Sequence, residues 1–314
     1  MLVSCSGCVS RFLILPETMP AVIQSISTST FTADSSTGRL SGRIWRPNGI
    51  GDELVGHVIF IHGLADHCGR YEELANRLGT IGLATIAIDL NGHGLSAGHR
   101  AYVHDFDDYL ADLDVLREQA DREFAGTPRL LMGHSMGATV AALWAIKRRP
   151  KLTGLILSSG AFARGADISP VLARLSHVIA AVAPRLATVK LDPTLITRDV
   201  GRATDYRDDP LVDHDGIRAR TGSQLLKAID RLMQQAGTID VPTLMFHGTD
   251  DQITNPAGSQ MLFDRLGSRD KSLKLYDGLF HETLNELERE QVYDDLLRWI
   301  NKHLPITGFS SRMS

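Results

Sequence analysis

Cysteine is scarce in this chain: three among 314 residues. So few cannot form a disulfide framework, and two of them, Cys5 and Cys8, sit in the first ten positions, with Cys68 in a loop. Reduced thiols and an intracellular setting are therefore expected. Charge of one sign is lacking too. The 33 Lys and Arg against 37 Asp and Glu leave a net charge of -4, which offers no basic field for nucleic acid. No long hydrophobic run is present. The most apolar stretch, residues 171–186, carries Arg174, His177 and Arg185 and is broken by Pro184, so no membrane span is expected. Phe12–Leu15 is too short for a signal-peptide core and has no positive region before it. Residues 1–20 are expected to be a disordered extension, and the protein to be cytoplasmic or peripherally membrane-associated. Internal repeats and low-complexity segments are absent from the sequence.

What is present is ordinary globular material, 43% hydrophobic and 22% charged, enough for one large domain with an insertion or for two small ones. Residues 22–31 and 40–45 suggest an antiparallel hairpin turning at Thr37-Gly38. Short apolar runs follow at His57–Ile61, Ala84–Ile88, Leu130–Met132 and Leu155–Leu157, alternating with helical patterns. One such pattern holds Tyr71, Leu74, Ala75 and Leu78; another holds Tyr109, Leu113, Leu116, Ala120 and Phe124. Continuous apolar strands alternating with helices indicate an α/β fold with a mostly parallel central sheet flanked by helices. The rhythm stops over residues 163–236, where helical patterns and prolines replace any convincing strand. It resumes at Pro242–Phe246 and Leu273–Tyr276 and closes with a helix carrying Val292, Leu296, Trp299 and Ile300. The expected organisation is a core of residues 21–162 and 237–305, a helical lid or cap insertion at 163–236, and a tail at 306–314.

The chemistry centres on Gly133-His134-Ser135-Met136-Gly137, between the Leu130–Met132 strand and an Ala-rich helix. A Gly-x-Ser-x-Gly turn in strand–turn–helix context is a nucleophile elbow, holding the serine in a strained backbone with its hydroxyl above the sheet. Gly94–Gly98 matches the same pattern around Ser96, but no helix begins there, and Ser96 reads as a loop serine. A serine hydroxyl needs a base to take its proton and a carboxylate to hold that base. Asp250 and Asp251 follow one late strand and His281 follows the next, in the chain order Ser, Asp, His that an elbow serine requires. Met136 and Leu64 are the candidate backbone N–H donors for an oxyanion. Two other histidines fit less well: His303 reads as a surface cation at a helix end, and His134 as facing away from substrate. A di-metal reading of His62, Asp66 and His67 lacks its middle ligand, since Leu64 occupies that position. Neither metal nor cofactor is expected.

Six segments together carry a resemblance: His62–Tyr71, Asp89–Ser96, Gly133–Gly137, Tyr206–Leu211, His247–Ile253 and Gly278–Glu282. From about residue 25 to 305 the chain resembles the monoacylglycerol lipases of the α/β-hydrolase superfamily, the bacterial, actinobacterial type above all. The resemblance implies acylation of Ser135 by a fatty acyl group, His281 as base and then acid, and Asp251 rather than Asp250 as its orienting carboxylate. It places Leu64 and Met136 in the oxyanion hole, and Arg70, Tyr206 and Asp66 at the glycerol end of a monoacylglycerol substrate. It also departs from the mammalian pattern. Leu284 stands where those forms carry a glycerol-binding histidine, and their regulatory lid cysteines have no counterpart. A lysophospholipase or a general carboxylesterase would use the same triad, and a silent lipid-binding homologue would keep only the fold.

The insertion is expected to act as a lid. Ser169-Pro170 suits a helix start, and Val171, Leu172, Leu175, Val178, Ile179 and Val182 give the helix after it a broad apolar surface. That surface either lines an acyl tunnel or docks on lipid.

Overall fold

The chain enters its sheet as a hairpin of β1 (Ile26–Ser35) and β2 (Gly38–Pro47), paired antiparallel from Ile26↔Pro47 to Ser35↔Gly38. The turn is Ser36-Thr37, one position earlier than expected, and Gly38 accepts a φ of +132° that a side chain would resist. The computed structural model describes residues 25–48, 54–163 and 178–304. The expected N-terminal extension, the C-terminal tail and the Ser169-Pro170 helix start lie outside those residues.

β3 (Gly56–Ile61) leads through a short 3-10 turn to α1 (Glu72–Gly79), then come β4 (Leu83–Ile88), α2 (Asp107–Glu123) and β5 (Arg129–His134). α3 (Met136–Arg148) and β6 (Gly154–Ser158) complete the first half of the core. Between β6 and β9 come the helical residues 178–182, β7 (Ala187–Val189), α4 (Val200–Asp208), β8 (Ile217–Arg218) and the long α5 (Ala219–Gln235). β7 and β8 pair antiparallel as a small separate sheet. This corrects the expectation of a strand-free insertion: strands of three and two residues are too short to show a period. β9 (Thr243–Gly248), α6 (Pro256–Arg265), β10 (Lys271–Tyr276) and α7 (Arg289–His303) close the chain.

The main sheet runs β1-β2-β4-β3-β5-β6-β9-β10. β1, β2 and β4 pair antiparallel, and every later neighbour pairs parallel. Successive strand residues face opposite cores, the period-2 consequence of a pleated backbone. Ile59, Ile61, Leu131, Leu155 and Leu157 pack with α2, α3 and α5. Val58, Phe60, Leu130, Met132 and Ile156 pack with α1 and α7. Both faces are covered, which is why these strands read as unbroken apolar runs. At the turn end of the hairpin Asp112 ties α2 to β1 and to the loop after β4, accepting from Ser35 Oγ at 2.9 Å and from the Asn91 N–H at 2.9 Å. The strand ends β3, β5, β6, β9 and the loop after β10 converge on one rim, where an open parallel sheet presents its ligands.

Candidate active site

Ser135 stands between β5 and α3 with φ +55° and ψ -122°, a backbone geometry that an L-residue holds only under tertiary constraint. The flanking glycines are steric necessities. A Cβ on Gly133 would lie 2.3 Å from the Gly137 carbonyl oxygen, and one on Gly137 2.4 Å from those of Ile61 and His62. The Ser135 N–H donates to the Ser158 carbonyl at 2.9 Å, fastening the elbow to β6. Ser96 lies in a loop, as its context indicates; its hydroxyl accepts the Ser41 N–H at 2.9 Å and does not border the site.

Asp251 and His281 come together from successive strand ends, His281 Nδ1 donating to Asp251 Oδ2 at 2.7 Å. Asp250, its rival, is exposed. The other carboxylate oxygen, Oδ1, accepts the Ile253 and Thr254 N–H groups at 2.8 and 2.9 Å. Burial alone would raise the Asp251 carboxyl pKa, but the His281 charge and the hydrogen bonds from His247 and His281 hold it well below the usual carboxylate range. Burial likewise works to lower His281, and Asp251 outweighs it, so the imidazole titrates above its ordinary value.

Ser135 and His281 both border a cavity of about 680 Å³. Gly63, Leu64 and Met136 border it beside them; a Cβ on Gly63 would come within 3.2 Å of Ser135 Cβ. Most of the remaining wall is apolar, from Ile179, Val189, Leu191, Leu195, Ile217, Leu225, Leu226 and Ile229. Helix α5 supplies one side with Ala219, Gly222, Leu226 and Ile229, a single stripe at helical spacing.

Asp66, Tyr206 and Glu282 form a polar border of the same cavity. Arg70 does not border it. Its guanidinium lies behind, donating to Glu282 Oε1 and Oε2 at 2.7 and 2.8 Å and to Asp66 Oδ1 at 3.1 Å. The Tyr206 ring covers its face, with Arg70 Cζ 4.5 Å from the ring centre. Asp66 also accepts the Tyr71 hydroxyl at 2.7 Å and the His67 N–H at 2.7 Å. Burial would push both carboxyls up, but Arg70 outweighs it, and Asp66 and Glu282 titrate below their usual range.

With this geometry in place, comparison with known proteins is direct. The family model described as "Serine aminopeptidase, S33" (Hydrolase_4) matches residues 52–288. The chain belongs to that family. The hydrolase is 34% identical to a monoacylglycerol lipase of Mycolicibacterium smegmatis over 83% of its own length and 92% of that protein's. It is 32% identical to a human monoglyceride lipase, covering 86% of this chain and 89% of the relative. Among solved structures, a Paleococcus ferrophilus monoacylglycerol lipase superposes with a TM-score of 0.72 at 28% identity, over 89% of this chain and 99% of that one. It is thus a serine hydrolase on the α/β-hydrolase fold.

Two readings of this hydrolase's histidines change. His134 does not face away: it borders the cavity, its ring centre is 4.8 Å from that of His281, and Nδ1 meets Ser158 Oγ at 3.2 Å. A residue next to the elbow serine takes its direction from the strand's end, which spacing alone does not specify. Burial, aided by the His281 charge, lowers its pKa to about 3. His303 is no free surface cation; it packs on Trp299 and meets Asp270 Oδ2 at 3.1 Å. His62 Nδ1 meets the Gly63 carbonyl and Nε2 accepts the Leu90 N–H, so both nitrogens serve the β3 loop. Sequence reasoning missed Glu282. The one signal was its place directly after His281, since a partner 212 residues from Arg70 has no local signature.

Proposed function

We propose that the protein hydrolyses monoacylglycerols to fatty acid and glycerol through an acyl-enzyme at Ser135. The observation that carries this reading is the cavity: an apolar chamber meeting an elbow serine, with a polar border of Asp66, Tyr206 and Glu282. The relatives named as monoacylglycerol or monoglyceride lipases support the substrate class.

In the reaction His281 takes the Ser135 proton as the hydroxyl oxygen attacks the ester carbonyl, and Asp251 stabilises the imidazolium so formed. The Leu64 and Met136 N–H groups receive the negative charge that develops on the carbonyl oxygen. Collapse of the tetrahedral intermediate breaks the bond to glycerol, and His281 returns its proton to the leaving alkoxide. Water then repeats the sequence on the acyl-enzyme and releases the fatty acid. At the polar border Asp66 and Tyr206 meet the glycerol hydroxyls, and Arg70 acts from behind by holding Asp66 and Glu282. The elements within residues 178–236 act as a cap whose underside closes the acyl chamber. It also carries the exposed Val178, Val182 and Leu186, with Arg185 beside them in the chain, and these residues rest on lipid surfaces. Co-sedimentation with anionic vesicles, reduced in a Val182→Glu variant, checks that contact.

The deciding experiment presents one acyl chain as monoacylglycerol, diacylglycerol, lysophosphatidylcholine and methyl ester, and compares kcat/KM for wild type and Ser135→Ala. Preference for monoacylglycerol, lost in the variant, is the expected result. Preference for lysophosphatidylcholine or the methyl ester would make the protein a lysophospholipase or a general carboxylesterase instead. A folded protein that a fluorophosphonate fails to label would be a non-catalytic homologue.

A further inference from the structure

His247 is the penultimate residue of β9, and its side chain is fully buried. Nothing in the proposed reaction uses it, yet it reaches the same atom that His281 does. His247 Nε2 lies 2.9 Å from Asp251 Oδ2, and His281 Nδ1 lies 2.7 Å from that same oxygen. Nδ1 of His247 meets Ser259 Oγ at 2.7 Å, from the first turn of α6. Ionised carboxylates only accept, so the His247 Nε2 must carry a proton and donate it. A continuous line thus runs from Ser259 through His247 and Asp251 to His281. The Thr254 hydroxyl, 2.8 Å from Oδ2, packs against the same junction.

We propose that His247 is a positioning residue for acyl transfer: anchored by Ser259, it fixes the rotation of the Asp251 carboxylate and takes part of the Oδ2 charge away from His281. The proposal rests on the Ser135–His281–Asp251 reading above. Two N–H groups on one oxygen divide its negative charge, so His281 feels less of it than it would from a carboxylate it held alone. Local spacing makes this cheap to build. His247 precedes Asp251 by four residues across the β9 turn, so both are set by one loop.

The experiment is the pH dependence of kcat/KM in wild type, His247→Leu and His247→Gln. The groups facing His281 are Asp251 from the β9 loop, His134 from the end of β5, Asp66 from the β3 loop and Glu282 beside it. None of them is altered by these substitutions. His247→Leu removes one donor from Oδ2, leaving more charge on His281, so the acid limb should move up by about half to one pH unit. The turnover number should fall about tenfold as the carboxylate loses one of the bonds that hold its rotation. His247→Gln, whose amide N–H can reach the same oxygen, should return the limb toward wild type. A folded His247→Leu enzyme with an unmoved limb overturns the proposal and leaves His247 a packing residue.

A second measurement does not depend on that variant folding. Wild-type protein labelled with 15N-histidine should show low-field imidazole N–H protons, among them one from His281 Nδ1 that His281→Gln loses and one from His247 Nε2 that His281→Gln keeps and His247→Gln loses. The absence of any low-field proton that His247→Gln removes and His281→Gln keeps overturns the proposal. Ser135→Ala run in parallel separates the two levels. If it keeps wild-type turnover, the triad reading falls and this proposal with it; if it is inactive while the His247→Leu limb is unmoved, this proposal falls alone.

Discussion

At the scale of single residues, the proposed reaction makes His281 govern the pH response. It must be neutral to accept the Ser135 proton, and Asp251 raises its pKa above the ordinary 6.5. Activity is therefore lost as pH falls through a limb lying above 6.5, measurable as kcat/KM against pH. Asp251→Asn removes the charge that raises it. The limb should drop, and turnover should fall by about 10⁴-fold as the tautomer is lost. A wild-type limb at or below 6.5 would contradict the geometry. Arg70 makes the second residue-scale case. It is a buried cation holding two buried carboxylates, and Arg70→Met would leave both uncompensated. Breaking a buried pair in this way costs about 3–5 kcal/mol, to be read from urea unfolding, whereas Tyr206→Phe keeps the ring over the guanidinium and should cost far less.

At the scale of elements, the β5–α3 elbow is where backbone geometry and function meet. Gly137 lies against the β3 carbonyls, so Gly137→Ala forces strand and helix apart rather than adding a methyl group to open space. The expected outcome is a loss of about 2–3 kcal/mol in stability, with activity falling further as Ser135 moves. Thermal melts and fluorophosphonate labelling rates check the two effects separately. The helix α5 is an element with two duties. Its first half borders the cavity through Ala219, Gly222 and Leu226, while Ala228, Leu232 and the following Ala236 belong to the main core. One amphipathic helix thus borders both the cavity and the main core, and in the proposed function it joins the cap to that core.

Across the whole molecule, buried histidines set the acid limit of stability. Burial above all lowers the pKa of His57 to about 4 and of His93 to about 3, and His134 behaves likewise. Unfolded, each takes up a proton near 6.5. The unfolded chain therefore binds more protons below that pH, and stability, complete above 6.5, declines as pH falls toward 3–4. His281 has the opposite sign, its contribution being complete below 6.5 and lost above its raised value, so it is constant through the acid decline and falls away only on the alkaline side. Calorimetric Tm should fall steadily from pH 7 to pH 4; a flat profile would show that these histidines protonate in place.

Sequence alone determined the parallel core and the elbow, because both are local. Strands buried on both faces need unbroken apolar runs, and the Ser135 turn needs glycines at fixed offsets; both are written in consecutive residues. Chain order likewise brought Ser135, the Asp250–Asp251 pair and His281 forward as partners, each after a strand, and the family resemblance singled out Asp251. Tertiary structure alone decided what crosses the chain: that Glu282 holds Arg70, that His134 lies beside His281, and that His247 shares the Asp251 oxygen. It also decided the short β7–β8 pair, whose strands exist only through each other. Such contacts depend on where side chains meet after folding, and distance in space leaves no period or spacing in the sequence.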